Sequence, residues 1–256
     1  MKFNHPHHQK IQKILLSLNP ALFEDTKAYF GGGTLLSLRF NEYRWSKDID
    51  FLCTVGEGYK LLRELVDDSA YDGLFLKTDG LEFPRDISTH QSGIRFPVKV
   101  DDTIIKFEIV LEGRISLGSP EYLDWCLLPC LNLVDTFTEK LLANADRWND
   151  TSVEARDLID LCVLRGQHNI PQESIHKANA AYEVEKSLKR AIKSFQNNPE
   201  FRDRCFTSLQ IADRMQILEG LDLLAKDLGM ASTKRTIEEA HPEHEVYLRH
   251  DHNDEK

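Results

Sequence analysis

Apolar positions along this 256-residue chain fall into two regimes. Up to about residue 118, stretches of helical spacing alternate with short strand-like runs. Residues 9–30 predict an amphipathic helix or two, broken at Asn19-Pro20. Leu35, Leu36 and Leu38 predict a helix entered through three glycines, and YKLLRELVDD, residues 59–68, predicts another. Residues 48–54, Leu74–Lys77, Ile94–Val100 and Thr103–Leu111 predict strands, the last two joined by a turn at Asp101-Asp102. Such alternation indicates an α/β or α+β domain with a mixed sheet, and α+β is the expectation. From about residue 119 the strand signals stop. Leu131–Trp148, Val153–Arg165, Gln172–Gln196 and Pro199–Leu228 all predict helices. The expected division is a mixed-sheet domain over 1–118, a helical bundle over 119–230 and a polar, loose tail over 231–256.

Composition narrows the class. Hydrophobic residues at 41% and charged residues at 29% suit a globular protein with an ample core. No run approaches the roughly 20 apolar residues that cross a bilayer, and MKFNHPHHQKIQK lacks the apolar centre of a secretory signal. Five cysteines without a Cys-x-x-Cys pair indicate neither a disulfide framework nor a zinc knuckle. A cytoplasmic location is the expectation. The net charge of −10 disfavours a general nucleic-acid coat, and neither half of the chain is basic. One local stripe breaks the acidity: Lys186, Lys189, Arg190 and Lys193 share a helix face, as ordinary solvated faces also do.

The chemistry concentrates in one block. Gly31, Gly32 and Gly33 run into Thr34, and after a gap of thirteen residues come Asp48-Ile49-Asp50. Glycines ahead of a helix let backbone N–H groups close on an anion, and Thr34 adds a hydroxyl. Carboxylates at i and i+2 of a strand point to one face, where hard oxygen ligands can hold a divalent cation. Alternatively the glycines form a flexible turn and the aspartates an ordinary edge. Aspartate is disfavoured in strands, however, and two on one face repel without a cation. A phosphate cradle beside such a pair suits chemistry on a nucleoside triphosphate. Histidines 5, 7, 8, 250 and 252 are explained by disordered tails or adventitious metal binding, and Cys126 and Cys130 by burial.

GGGTLLSLRFNEYRWSKDIDFL resembles the opening motif of the AbiEii/AbiGii-type nucleotidyltransferases, a branch of the polymerase-β-like superfamily. DTFTEKLLANADRW and SVEARDLIDLCVL resemble that family's lysine-bearing and Arg-Asp-x-x-Asp-Leu helices. The resemblance implies a polymerase-β-like nucleotidyltransferase domain followed by a C-terminal helical bundle, with the site in the cleft between them. It implies Mg²⁺ on Asp48 and Asp50, with Glu108 as third ligand in place of the usual aspartate; a solvent-facing Glu108 is the alternative. Lys140 would reach the triphosphate alongside Gly32, Gly33 and Thr34, although a lysine among apolar residues often only extends its head to water. Asp157 would be catalytic, or else a helix-surface carboxylate paired with Arg156. Ser46 also matches the family pattern. The implied activity is transfer of a nucleoside monophosphate from an NTP to an acceptor hydroxyl, by the toxin of a toxin–antitoxin or phage-defence system. The 3′ end of tRNA is the favoured acceptor, and a cognate antitoxin is implied. A protein or small-molecule acceptor, or a non-catalytic NTP-binding module, are the alternatives.

Overall fold

In the computed structural model, which describes residues 3–236 and Glu239, the chain folds as α+β. Helices α1 (Pro6–Leu15) and α2 (Pro20–Asp25) both start on a proline, whose missing N–H costs nothing at a first helical turn. Strand β1 (Ala28–Gly31) leads into α3 (Gly32–Arg39), followed by β2 (Ile49–Thr54), α4 (Glu57–Ser69) and α5 (Tyr71–Leu74). Then come β3 (Ser88–His90), β4 (Gly93–Val100), β5 (Thr103–Glu112), β6 (Glu121–Leu123) and β7 (Cys126–Cys130). The remaining helices are α6 (Leu133–Arg147), α7 (Arg156–Gln167), α8 (Gln172–Ala181), α9 (Glu185–Asn197), α10 (Pro199–Ser208) and α11 (Arg214–Asp227).

The strands form one mixed sheet in the order β3-β4-β5-β2-β1-β7-β6, in which β2–β5 and β1–β7 run parallel. Alternation decides its faces. Ile105, Phe107 and Ile109 of β5 are fully buried while Ile104 and Lys106 are exposed. The buried face carries stacked aromatics, with Phe51 and Phe107 centroids 5.4 Å apart and Phe96 and Phe107 4.6 Å apart.

Three expectations are corrected. Residues 28–30, read as the end of a helix, belong with Gly31 to β1: all four are buried, so no alternation marks them. Residues 74–77 are not a ladder strand; α5 ends there and Phe75 makes an isolated bridge to Leu18. Strands also continue beyond residue 119. Pro129, which removes a ladder donor, masks β7, and β6 is only three residues long and irregular in register.

The chain divides into two compact units. One runs to Leu142 and takes in Ile170–Val184; the other comprises Ala143–Asn169 and the residues from Glu185 onward. In the first, α8 is tied down where Ser174 donates to the Val134 carbonyl (2.9 Å) and Lys177 pairs with the fully buried Asp135. Arg114 adds a bond to Tyr182 at 3.0 Å.

In the second unit, α9 buries Leu188, Ala191, Ile192 and Phe195, whereas Lys186, Arg190 and Lys193 of the basic stripe stay exposed. Lys189 pairs with Glu185 one turn away, at 2.6 Å. Arg202 is fully buried, donating to the Phe195 and Gln196 carbonyls and to both oxygens of Glu239. Residues 231–236 are engaged as well, Thr233 donating its N–H to Asp222 at 2.6 Å. The rest of the expected tail, residues 237–238 and 240–256 with His250 and His252, lies outside the described residues. All five cysteines are buried free thiols: Cys53, Cys126 and Cys130 in the first unit, Cys162 and Cys205 in the second.

Candidate active site

The site is built where β1 turns into α3. Gly31 has extended backbone, and Gly32 turns the chain with φ +69°, a left-handed conformation glycine adopts at little cost. A Cβ on Gly32 would also lie 2.6 Å from Oδ2 of Asp50, so the glycine backbone is packed directly on that carboxylate. The first N–H groups of α3 have no partner within the helix and lie at its positive end. Thr34, fully buried, donates its hydroxyl to the Asp48 carbonyl, and Ser46 donates to Thr34 at 2.8 Å. The Thr34 hydroxyl thus fastens the helix start to the strand entry.

Asp50 is second in β2, and the ladder places it opposite Gly31 of β1 on one side and Glu108 of β5 on the other. Burial, then the neighbouring charges of Asp48 and Glu108, push its carboxyl up to about 6, with Lys140 and Lys106 opposing the rise. The structure therefore brings Asp48, Asp50, Glu108, Lys140 and the glycine turn into one neighbourhood. Lys140 is buried on α6. Glu108 is held by Arg95 of β4 and by Lys106 two residues before it, so it already has cations.

Asp157 belongs to the second unit. It lies in the first turn of α7 and binds Arg147 with both oxygens, at 2.6 and 2.9 Å, in a bidentate pair. The expected local partner Arg156 does not make this contact; the guanidinium comes from ten residues earlier. Neighbouring Asp160 is fully buried.

A divalent cation fits part of this donor set. Two carboxylates crowded until one resists ionisation suit a cation between them. Glu108 suits it less, being engaged by Arg95 and Lys106, and no group of three or more His, Cys, Asp or Glu forms a metal set among the described residues.

Two features escaped the sequence reading. Arg44 is buried, with its guanidinium pressed on Gly33 so that a side chain there would have to displace it, and it donates to the Trp45 carbonyl at 3.0 Å. Its signal was available: Arg44, Ser46, Asp48 and Asp50 alternate with period two. The histidines near the start are neither a loose tail nor a metal cluster. His5 caps α1, accepting from the His7 N–H, and His8 is 1% exposed, bonded to Glu42 and to Ser46. No local pattern announces contacts across more than thirty residues.

Among the described residues no helix is long and apolar enough to cross a membrane. No curated protein matches the chain. Two solved structures from Helicobacter pylori share the fold. A proposed nucleotidyltransferase is 20% identical, with 87% of this chain and 95% of that one covered and a TM-score of 0.50. JHP933 is 19% identical, with 96% and 100% covered and a TM-score of 0.51. The profile described as "Nucleotidyl transferase AbiEii toxin, Type IV TA system" matches residues 13–249, a span that holds the glycine turn, Asp48, Asp50, Lys140 and Asp157. A match over nearly the whole length, on a fold shared with those structures, places the chain in the AbiEii family of nucleotidyltransferase toxins from type IV toxin–antitoxin systems.

Proposed function

We propose that the chain transfers a nucleoside monophosphate from an NTP to an acceptor hydroxyl, releasing pyrophosphate, with Mg²⁺ held by Asp48 and Asp50. The observation that carries this reading is the setting of Asp50: a carboxyl raised to about 6 in a sheet, with a glycine backbone against it and like charges beside it. When bound, the ion supplies positive charge against the triphosphate and the departing pyrophosphate. The chain's own groups do the rest. N–H groups at the start of α3, at Gly32 and Gly33, bind phosphate oxygens, and Thr34 keeps that cradle in register with Asp48. Lys140 presents a compact charge to the phosphates. Glu108, tied to Arg95 and Lys106, sets the field around Asp50 in preference to serving as a ligand. Asp157 acts through its pair with Arg147.

The favoured acceptor is the 3′ end of tRNA, gripped through the exposed residues of the α9 stripe, with a cognate antitoxin controlling the toxin in the cytoplasm. A protein or small-molecule acceptor is the second reading, and the net charge of −10 favours it. The test is incubation with each α-labelled NTP and Mg²⁺ in the presence of total tRNA and of cell protein. A one-nucleotide mass increase on tRNA supports the first reading and an increase on protein the second. Label in neither fraction with any NTP overturns the tRNA and protein acceptors, leaving a small-molecule acceptor or an NTP-binding module.

A further inference from the structure

The turn that delivers Asp48 is held from a distance. Between α3 and β2 the chain passes through Asn41 and Glu42, both at positive φ (57° and 55°), where side chains other than glycine are strained. Such a turn persists only if its surroundings fix it. Ser37 accepts from the Glu42 N–H at 2.7 Å and donates its hydroxyl to the Arg44 carbonyl at 2.5 Å. The remaining anchors come from residues 4–8. Glu42 accepts from the N–H groups of Asn4 (2.7 Å) and His5 (3.0 Å), at the start of α1. His7 Nε2 lies 2.9 Å from the Lys47 carbonyl, and the Trp45 ring lies beside His5 and His7.

His8 sits at the centre of this clamp. Its Nδ1 is 2.8 Å from a Glu42 carboxylate oxygen, and its Nε2 is 3.3 Å from the Ser46 backbone nitrogen. An ionised carboxylate only accepts and a backbone N–H only donates. The partners therefore dictate the proton: Nδ1 carries it, and Nε2 accepts from Ser46. Burial, which lowers the basicity of His8, acts in the same direction, while Glu42 opposes it. Ser46 in turn donates to Thr34, whose hydroxyl holds the Asp48 carbonyl. One side chain thus links α1 to the backbone two residues before the first aspartate.

We propose that His8, as the neutral Nδ1–H tautomer, is a positioning residue for the cation-binding carboxylate Asp48, acting through the Ser46 N–H. The proposal rests on the reading that Asp48 and Asp50 hold the cation. His8 touches neither substrate nor metal in this scheme; it sets where Asp48 stands.

The test uses the full chain and Mn²⁺ alone, titrated by calorimetry and by its paramagnetic resonance signal. His8→Leu removes both hydrogen bonds at similar volume and is expected to weaken Mn²⁺ binding about tenfold. His8→Gln can carry an amide oxygen to the Nε2 position and is expected to stay within threefold of wild type. Wild-type binding in His8→Leu, at temperatures well below melting, overturns the proposal. Should His8→Leu fail to fold, His8→Asn replaces it: its shorter amide reaches the Nδ1 position only, and equal Mn²⁺ affinity in His8→Asn and His8→Gln overturns the proposal. Nitrogen-15 imidazole spectra give a second readout, in which His8 as the Nε2–H tautomer overturns it as well. Asp48→Asn is measured alongside. If it binds Mn²⁺ like wild type, the carboxylate reading fails, whereas Asp48→Asn weakened with His8→Leu unaffected defeats the His8 proposal alone.

Discussion

Asp50 and Asp157 are the same residue type in opposite electrostatic situations. Asp157 heads α7 with both oxygens on the Arg147 guanidinium, so the chain itself supplies its counter-charge. Asp50 lies between a glycine and a glutamate in the sheet, close to a second aspartate, and its carboxyl is pushed up to about 6. Folding settles the charge of the first and leaves that of the second in deficit. A deficit kept by a folded protein is a place where something else is meant to bind. The contrast is what the proposed cation site beside Gly32 rests on, and it leaves Asp157 paired with Arg147 in α7.

The comparison breaks most visibly on activity. Asp50→Ala should lower the rate of nucleotidyl transfer at least a thousandfold, equivalent to about 4 kcal/mol of barrier, with a melting temperature in chelator that holds or rises. Initial rates within tenfold of wild type would sink the assignment.

Next comes the pH dependence of metal-free stability. A carboxyl whose folded pKa lies above its unfolded value stabilises the fold in its protonated form, below about pH 4, and that stability is lost as pH rises through about 6. Asp50→Asn, which never ionises, should therefore exceed wild type by about 2–3 kcal/mol at pH 7. The two should converge near pH 3.5 in chemical denaturation, and a difference independent of pH contradicts the crowding.

Asp157→Ala should behave in the opposite way. Removing one partner of this pair should destabilise by about 2 kcal/mol at neutral pH, moderated because Arg147 is partly exposed. An unchanged denaturation midpoint would show that Asp157 is no structural anchor.

Lys140→Ala sharpens the β2 side: NTP affinity measured by calorimetry should fall by about 1.5 kcal/mol, one charge-assisted contact, with the fold retained. Unchanged NTP affinity together with a collapsed melting temperature would restore a purely packing role.

The smallest effect concerns the α9 stripe. Neutralising Lys186, Lys189, Arg190 and Lys193 should make the slope of log tRNA affinity against log salt shallower by about 0.7–0.9 per lost phosphate contact. Lys189, paired with Glu185, should contribute least. An unchanged slope leaves the stripe a solvated face.

What the sequence announced and what it hid divide along range. The glycine turn and the aspartates at the entry to β2 were readable because both depend on neighbours within a few residues: a glycine-specific φ and a spacing of two. Strand β5 was readable because Ile105, Phe107 and Ile109 alternate with Lys106 and Glu108. β1 was hidden because Ala28–Gly31 is buried on every side, and β7 because Pro129 argues against a strand that the parallel pairing with β1 nevertheless stabilises. The partners that decide roles were hidden too. Arg147 for Asp157, Arg95 for Glu108 and His8 for Ser46 are all chosen by tertiary packing, ten to thirty-eight residues away.

The buried cysteines turn the molecule into its own clock. A thiol reagent reacts only with an exposed thiolate, and Cys53, pushed up to about 12 by burial, is doubly shielded in the folded state. Labelling of the native protein must therefore wait for structural opening, so its rate reports how often each region opens. Three thiols report on the sheet-bearing unit and two on the helical one. Peptide-resolved labelling kinetics would show whether the two units open together or in turn, with no probe introduced.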